Sequence, residues 1–207
     1  MDTLEDFITI LVPLLIIMDP VGNLPIFFMF TKNNTSGERI RMAFIACLAS
    51  CIILTFFGIT GDTVLDFFGI GLPAFQIAGG IIFFIYSLQM LCLIPNGIKT
   101  TEEEEEEGVS KENIALVPLA TPLLAGPGAI TAILVRQQSA EDSLSIPLLI
   151  AVIVLVCFIV YLIFHFGEQI HRILGVGGIR VVARFTGLLL AVIAVEFIVS
   201  GIQGIEE

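Results

Sequence analysis

One acidic residue, Asp19, lies inside an apolar stretch of the chain, LIIMDPVGNLPIFF at residues 15–28. Pro20, Gly22 and Asn23 follow it, and proline and glycine are the residues that most readily interrupt a helix. A charge at membrane depth costs on the order of 2.5–3.5 kcal/mol on insertion scales, which favours a functional role. Asp19 can hold an ammonium group, a sodium ion or a proton. Alternatively, Asp19 caps a helix that restarts at Pro20, and the two roles are compatible.

A second interrupted stretch, TPLLAGPGAIT, occupies residues 121–131. Unwound backbone at membrane depth is stable only inside protein or beside a water-filled cavity. The N–H groups where a helix restarts suit a carboxylate, and the carbonyls that end the preceding helix suit a cation. We therefore expect a substrate and ion site where the two interruptions meet near the midplane. In the second stretch its candidate residues are Thr121, Gly126, Pro127, Gly128 and Thr131.

Two further residues are candidates for proton or ion coupling, together with Asp19. Glu196 lies within the last apolar segment, and the internal repeat described below places Gln89 at the corresponding position. A carboxyl group there can carry protons across the membrane. The alternative is that Glu196 reaches water at the outer surface or pairs with Arg136. The sequence leaves both interpretations open.

The elements that must position these residues are apolar helices. The chain has 207 residues, of which 57% are hydrophobic and 14% are charged, and a soluble domain has about 25% charged residues. A membrane-spanning helix needs roughly 20 apolar residues. Six segments meet that requirement: 5–30, 41–60, 73–94, 113–136, 146–166 and 180–203. The sequence therefore predicts an all-α membrane protein that lies in the lipid bilayer.

Composition argues against several other classes of protein. No basic patch is present, so a nucleic-acid partner has no support. The four cysteines lie in apolar segments without CxxC spacing, so we expect neither a disulfide nor a metal site, and no cofactor. The start, MDTLEDF, is acidic where a signal peptide needs basic residues, so the first segment is expected to remain as a span.

The chain divides into two related halves. Residues 95–112 form a polar linker that contains six consecutive glutamates, between a first repeat at 1–94 and a second at 113–207. GDTVLDFFGIG, at 61–71, aligns with GEQIHRILGVG, at 167–177, and both are interpreted as loops. Since each half has three spans, the second half enters the membrane in the opposite sense. The predicted fold is two inverted three-helix repeats, with spans one and four interrupted by Pro and Gly.

Basic residues set the orientation of the predicted helices. Of the nine, only Arg136 falls on one side of the six-span arrangement. The other eight are Lys32, Arg39, Arg41, Lys99, Lys111, Arg172, Arg180 and Arg184. The positive-inside rule makes their side cytoplasmic, with both termini outside and the linker inside. Arg180 and Arg184 are expected at the cytoplasmic edge of the bilayer, with their charged ends in water.

The segments DPVGNLPIF, AFQIAGGIIFFIYSLQML and VPLATPLLAGPGAIT resemble the signature segments of the MarC family of integral membrane proteins, in the same order along almost the whole chain. The resemblance implies six spans, a prokaryotic plasma membrane and a relation to transporters of small neutral amino acids. It also implies a shared core of residues: Asp19, Pro20, Gly22, Asn23, Pro25, Gly126, Pro127 and Gly128. The family pattern usually has Gln at the position of Glu196, so the resemblance does not support a shared role for that carboxylate.

The leading hypothesis is secondary transport of a small neutral amino acid such as glycine or alanine, coupled to H⁺ or Na⁺. The zwitterion's ammonium group would meet Asp19 or unwound carbonyls, and its carboxylate would meet a half-helix N-terminus. An exporter of another small solute and a non-transporting membrane scaffold or regulator are the alternatives. An enzyme is not expected, because a second intramembrane aspartate and a G-x-S-x-G motif are absent from the sequence. Homo-oligomerisation stays open.

Overall fold

The computed structural model describes residues 3–93, 124–138 and 145–206. Within these ranges the chain forms seven helices and no strand. The helices are α1 (Thr3–Met18), α2 (Leu24–Phe30), α3 (Ser36–Phe68), α4 (Leu72–Met90), α5 (Pro127–Gln138), α6 (Ser145–His165) and α7 (Gly167–Glu206). The all-α prediction is confirmed for this part of the chain.

Four segments of the described helices have the length and apolar composition to cross a bilayer. They are Ser36–Gly61, Leu72–Met90, Ile146–His165 and Gly167–Ile205. These segments overlap the predicted second, third, fifth and sixth spans. The length and apolar composition of the helices are therefore those of a multi-pass membrane protein.

The predicted first and fourth spans differ from these four. The first is divided into α1, of 16 residues, and α2, of seven, with an interruption at residues 19–23. This interruption is where the sequence predicts one. In the fourth predicted span, α5 starts at Pro127, whereas residues 113–123 and the predicted linker at 95–112 lie outside the described residues.

The two stretches interpreted as loops are mostly helical, which corrects that expectation. Helix α3 continues to Phe68, and α7 already begins at Gly167. The chain turns instead at Gly69, with φ 64°, and α7 kinks at Gly175, with φ 61°. The ψ angles differ, 30° at Gly69 and 178° at Gly175, and glycine reaches both conformations without the steric cost of a Cβ. The two glycines correspond in the predicted repeat, and they are the glycines with positive φ in the described ranges.

Ion pairs join distant helices at the two ends of the bundle. Arg39, near the start of α3, pairs with Glu168 in the first turn of α7. At the opposite end, Arg136 of α5 pairs with Asp6 of α1, with an N–O distance of 2.9 Å. Each pair joins two residues that the predicted topology places on the same side of the membrane.

Helices α4 and α7 approach closely through glycines. A Cβ added at Gly80 would lie 2.8 Å from the backbone oxygen of Ala194. A Cβ added at Gly187 would lie 2.8 Å from the Cβ of Met90. Small residues at such crossings let helix backbones pack together inside a membrane. This packing fixes α7 beside α4, and both helices contribute to the site described next.

Candidate functional site

The interruption between α1 and α2 is held by its own polar side chains. The backbone N–H of Gly22 donates to Oδ1 of Asp19 over 3.2 Å, and the side-chain amide of Asn23 donates to the carbonyl of Met18 over 2.9 Å. Both groups would otherwise be left unpaired where the helix stops and restarts. Asp19 thus stabilises the turn at residues 19–22 but does not cap a helix, because α2 starts at Leu24 with Asn23 as its N-cap; the expectation of a helix that restarts at Pro20 is wrong.

The backbone at Asp19 is strained, with φ 35°. Aspartate and asparagine enter this left-handed region more readily than other residues with a Cβ, although a cost remains. A Cβ added at Gly22 would lie 1.8 Å from Oδ2 of Asp19. Only glycine at position 22 therefore leaves room for the carboxylate in its observed place.

Asp19 and Asn23 are buried, with 4% and 2% of their surface exposed. The side chain of Thr186 of α7 lies close enough to the Asp19 carboxyl group to interact with it. A carboxylate at the end of the first helix thus contacts the last helix, although more than 160 residues separate them in the sequence. The interruption is part of the interior of the bundle.

A cavity of about 470 Å³ extends from this interruption between α2, α4 and the first half of α7. Its volume lies within the range of roughly 300–1,000 Å³ that ligand sites typically have. Most of the wall is apolar, and a few polar groups converge on it, as is usual for a ligand site. The polar side chains in the wall are those of Asp19, Asn23, Tyr86, Gln89 and Arg180. Of the predicted site residues, the structure brings together Asp19, Gly22, Asn23 and Gln89.

The described residues of the second interruption do not line this cavity, and two of them, Gly128 and Thr131, pack against α4. A Cβ added at Gly128 would lie 2.0 Å from the ring of Phe83. Thr131 is buried against Gly79, where an added Cβ would lie 2.3 Å from the threonine methyl carbon. Gly126 is buried in the turn before α5.

Three more residues that were predicted to form the site lie outside the cavity wall or outside the described residues. Pro20 is buried within the first interruption, and it does not line the cavity. Pro127 is the first residue of α5, and Thr121 lies outside the described residues.

Glu196 is exposed on the surface of α7 and does not line the cavity that contains Asp19. Arg136 pairs with Asp6 rather than with Glu196. A second cavity, of about 210 Å³, lies beside Arg136 between α1, α5 and Phe197 of α7. This cavity lies at the end of the bundle opposite Arg39.

The sequence interpretation missed Tyr86, Thr186 and Arg180 as residues of the site. Tyr86 stands one helical turn before Gln89, and that spacing places both on one face of α4. Arg180 was assigned to the bilayer edge, and the structure places it in the cavity wall. Its distance of five residues from the kink at Gly175 was the available signal, since a kink changes which face of a helix meets its neighbours.

The chain is similar to known membrane proteins over almost its whole length. The family model of MarC family integral membrane proteins matches residues 4–206. The UPF0056 membrane protein MJ1677 of Methanocaldococcus jannaschii is 39% identical over 97% of this chain and 98% of its own length. The UPF0056 membrane protein of Aquifex aeolicus is 36% identical over 96% of this chain and 93% of its own length. The UPF0056 membrane protein YhcE of Escherichia coli is 36% identical over 91% of this chain and 88% of its own length. No solved structure matches the chain.

Proposed function

Since the chain belongs to the MarC family of integral membrane proteins, we propose that it is a secondary transporter of small neutral amino acids of the glycine and alanine type. The observation that carries the proposal is the cavity of about 470 Å³ at the helix interruption, with the buried carboxyl group of Asp19 in its wall. Interrupted helices beside a cavity are the usual layout of a transporter binding site. A purely structural interruption has no need of a cavity of this size.

The chemistry of the cavity suits the ammonium end of an amino acid. Asp19 supplies a negative charge in a largely apolar wall, where an unpaired charge is unfavourable and a cationic ligand is attracted. Asn23 and Gln89 add amide groups that donate and accept hydrogen bonds. Coupling to H⁺ or Na⁺ is assigned to Asp19, because either cation can neutralise the same carboxylate when the substrate leaves.

Two cavities near opposite ends of the bundle support transport by alternating access. The larger begins at Asp19, and the smaller adjoins the Asp6–Arg136 pair. We assign the end near Arg39 to the cytoplasm of a prokaryotic cell, from the distribution of basic residues. Six spans in two inverted repeats are part of the proposal, and the positive φ angles at the corresponding Gly69 and Gly175 support the repeat.

A second candidate, export or uptake of a larger amphipathic solute, has one specific observation in its favour. The cavity volume lies in the range of sites for drug-sized ligands. Its wall is mostly apolar, with Ile26, Met29 and Phe30 along α2. Glycine would leave much of that wall in contact with water. A larger apolar substituent would cover it.

Counterflow in proteoliposomes tests the proposal. Purified protein is preloaded with unlabelled alanine and challenged with labelled alanine, and accumulation of label is measured. Asp19→Asn keeps the side-chain shape and tolerates the left-handed backbone, so loss of accumulation reports the charge. Asp66→Asn is the matched control, because Asp66 is an exposed acidic residue on α3 that does not line the cavity.

The outcomes separate the candidates. Accumulation by the wild type and Asp66→Asn, with loss in Asp19→Asn, supports amino acid transport through this cavity. Accumulation that persists in Asp19→Asn refutes the role of Asp19. No accumulation of alanine, glycine or serine by the wild type refutes the amino acid assignment. A panel of larger amphipathic solutes in the same assay then tests the second candidate.

A further inference from the structure

The interruption between α1 and α2 is poorly suited to binding the carboxylate of an amino acid. Helix α2 has only seven residues, so its dipole is short. The N–H of Gly22 already donates to Asp19, and the negative charge of Asp19 repels a second carboxylate. A zwitterion whose ammonium group lies at Asp19 therefore needs a positive group elsewhere in the cavity.

Arg180 is the one cationic side chain among the described residues that line this cavity. Its guanidinium is always charged and can bind a carboxylate through two parallel hydrogen bonds. We propose that Arg180 binds the carboxylate of a substrate whose ammonium group lies on the Asp19 side of the cavity. This inference rests on the proposed transport of amino acids, and it names the group that selects a zwitterion over a simple amine.

The ion pairs formed by two other arginines contrast with the position of Arg180. Arg39 is paired with Glu168, and Arg136 is paired with Asp6. Arg180 is exposed and has no ion-pair partner within the described part of the chain. Among the described residues, no carboxylate has to be displaced from its guanidinium before a ligand can bind.

The position of Arg180 also explains how the cavity would handle the substituent of an amino acid. Between the polar groups, the wall is formed by apolar side chains that include Ile26, Met29 and Ile179. A zwitterion held by both charged groups would place its α-carbon substituent against this wall. Apolar substituents are favoured there, because burying them removes apolar surface from water.

Arg184 provides a matched control, since it lies one helical turn beyond Arg180, is also exposed and does not line the cavity.

The chain has no tryptophan, so a single Phe30→Trp substitution gives a fluorescence reporter in the cavity wall without background from other tryptophans. Three probes are titrated in detergent: alanine, propionate, which has only the carboxylate, and alanine amide, which has only the ammonium group. Each is measured with wild-type Arg180, Arg180→Gln, Arg180→Lys and Arg184→Gln.

Arg180→Gln is expected to weaken binding of alanine and propionate by about 10- to 100-fold, the usual range for losing charge-assisted hydrogen bonds. Alanine amide should bind Arg180→Gln as well as or better than the wild type, and Arg184→Gln should match the wild type for every probe. Arg180→Lys should recover part of the lost affinity, because it keeps the charge without the paired geometry. The selective loss of carboxylate-bearing probes is a readout that misfolding does not produce.

Equal losses in Arg180→Gln and Arg184→Gln, or no loss in either, overturn the inference while leaving alanine transport unaffected. Binding of propionate that depends on Arg180, together with absence of alanine counterflow, supports the carboxylate site and refutes the amino acid as substrate. Failure of all three probes to change the reporter fluorescence of the wild type overturns the inference and the zwitterion site together.

Discussion

Replacing Gly22 by alanine adds one methyl group at the most crowded point of the interruption. The new Cβ would lie 1.8 Å from Oδ2 and 2.7 Å from Cγ of Asp19. Neither distance is possible for non-bonded atoms, so the carboxyl group must leave its place. The hydrogen bond from the Gly22 N–H to Oδ1, now 3.2 Å long, breaks when it does.

Two costs follow from this displacement. Crowding an already packed site costs about 1–3 kcal/mol. Losing a hydrogen bond to a charged group costs about 1.5–3 kcal/mol. Both arise from one movement and therefore overlap, so we expect Gly22→Ala to lower the free energy of unfolding by about 3 kcal/mol.

The free energy of unfolding can be measured by SDS titration in mixed micelles, with helix content followed by circular dichroism. Gly37→Ala is the control, because a Cβ at Gly37 meets no atom within 4 Å. Asp19→Gly removes the carboxylate and fits the left-handed backbone, so Gly22→Ala should cost less than about 1 kcal/mol in that background. An equal cost of Gly22→Ala with and without the Asp19 side chain would refute the reasoning.

Three further changes test the packing of the bundle by the same unfolding measurement. Gly128→Ala should lower stability by about 1–3 kcal/mol, since its Cβ would lie 2.0 Å from the ring of Phe83, and Phe83→Leu should relieve part of that loss. Gly80→Ala should lower the free energy of unfolding at least as much as Gly128→Ala, because its Cβ would meet a backbone oxygen of α7, which cannot rotate away as a side chain can. A smaller loss of stability would contradict the close contact between α4 and α7. Asp6→Arg and Arg136→Asp should each lower stability by up to about 1 kcal/mol, and the double exchange should restore it if the two side chains interact directly.

The interruption at residues 19–23 could be predicted because its causes are local. Proline lacks an N–H and restricts its neighbours, whatever the rest of the chain does. Asp19 and Asn23 are short polar side chains that reach the backbone groups released nearby, as their hydrogen bonds to Gly22 and Met18 show. The turning points at Gly69 and Gly175 were visible as matched glycines, although the sequence did not show that helix continues on both sides of them.

The lining of the cavity could not be predicted in full, because it depends on which face each helix turns to its neighbours. Arg180 and Glu196 both lie on α7, and residue type alone favours the carboxylate within the span over the arginine near its edge. The structure places Arg180 in the cavity wall and Glu196 on the outer surface. The rotation of α7 is set by its glycine contacts with α4, which join parts of the chain that are distant in sequence.

The two interruptions have similar compositions, yet they are used differently in this structure. At the first, Asp19 and Asn23 satisfy the backbone and face a cavity. At the second, the described residues Gly128 and Thr131 pack tightly against Phe83 and Gly79 of α4. Alternating access requires the two halves of a transporter to differ at any one time, and this difference in packing is of that kind. Among the described residues, the first interruption opens onto a cavity, whereas Gly128 and Thr131 of the second serve helix packing.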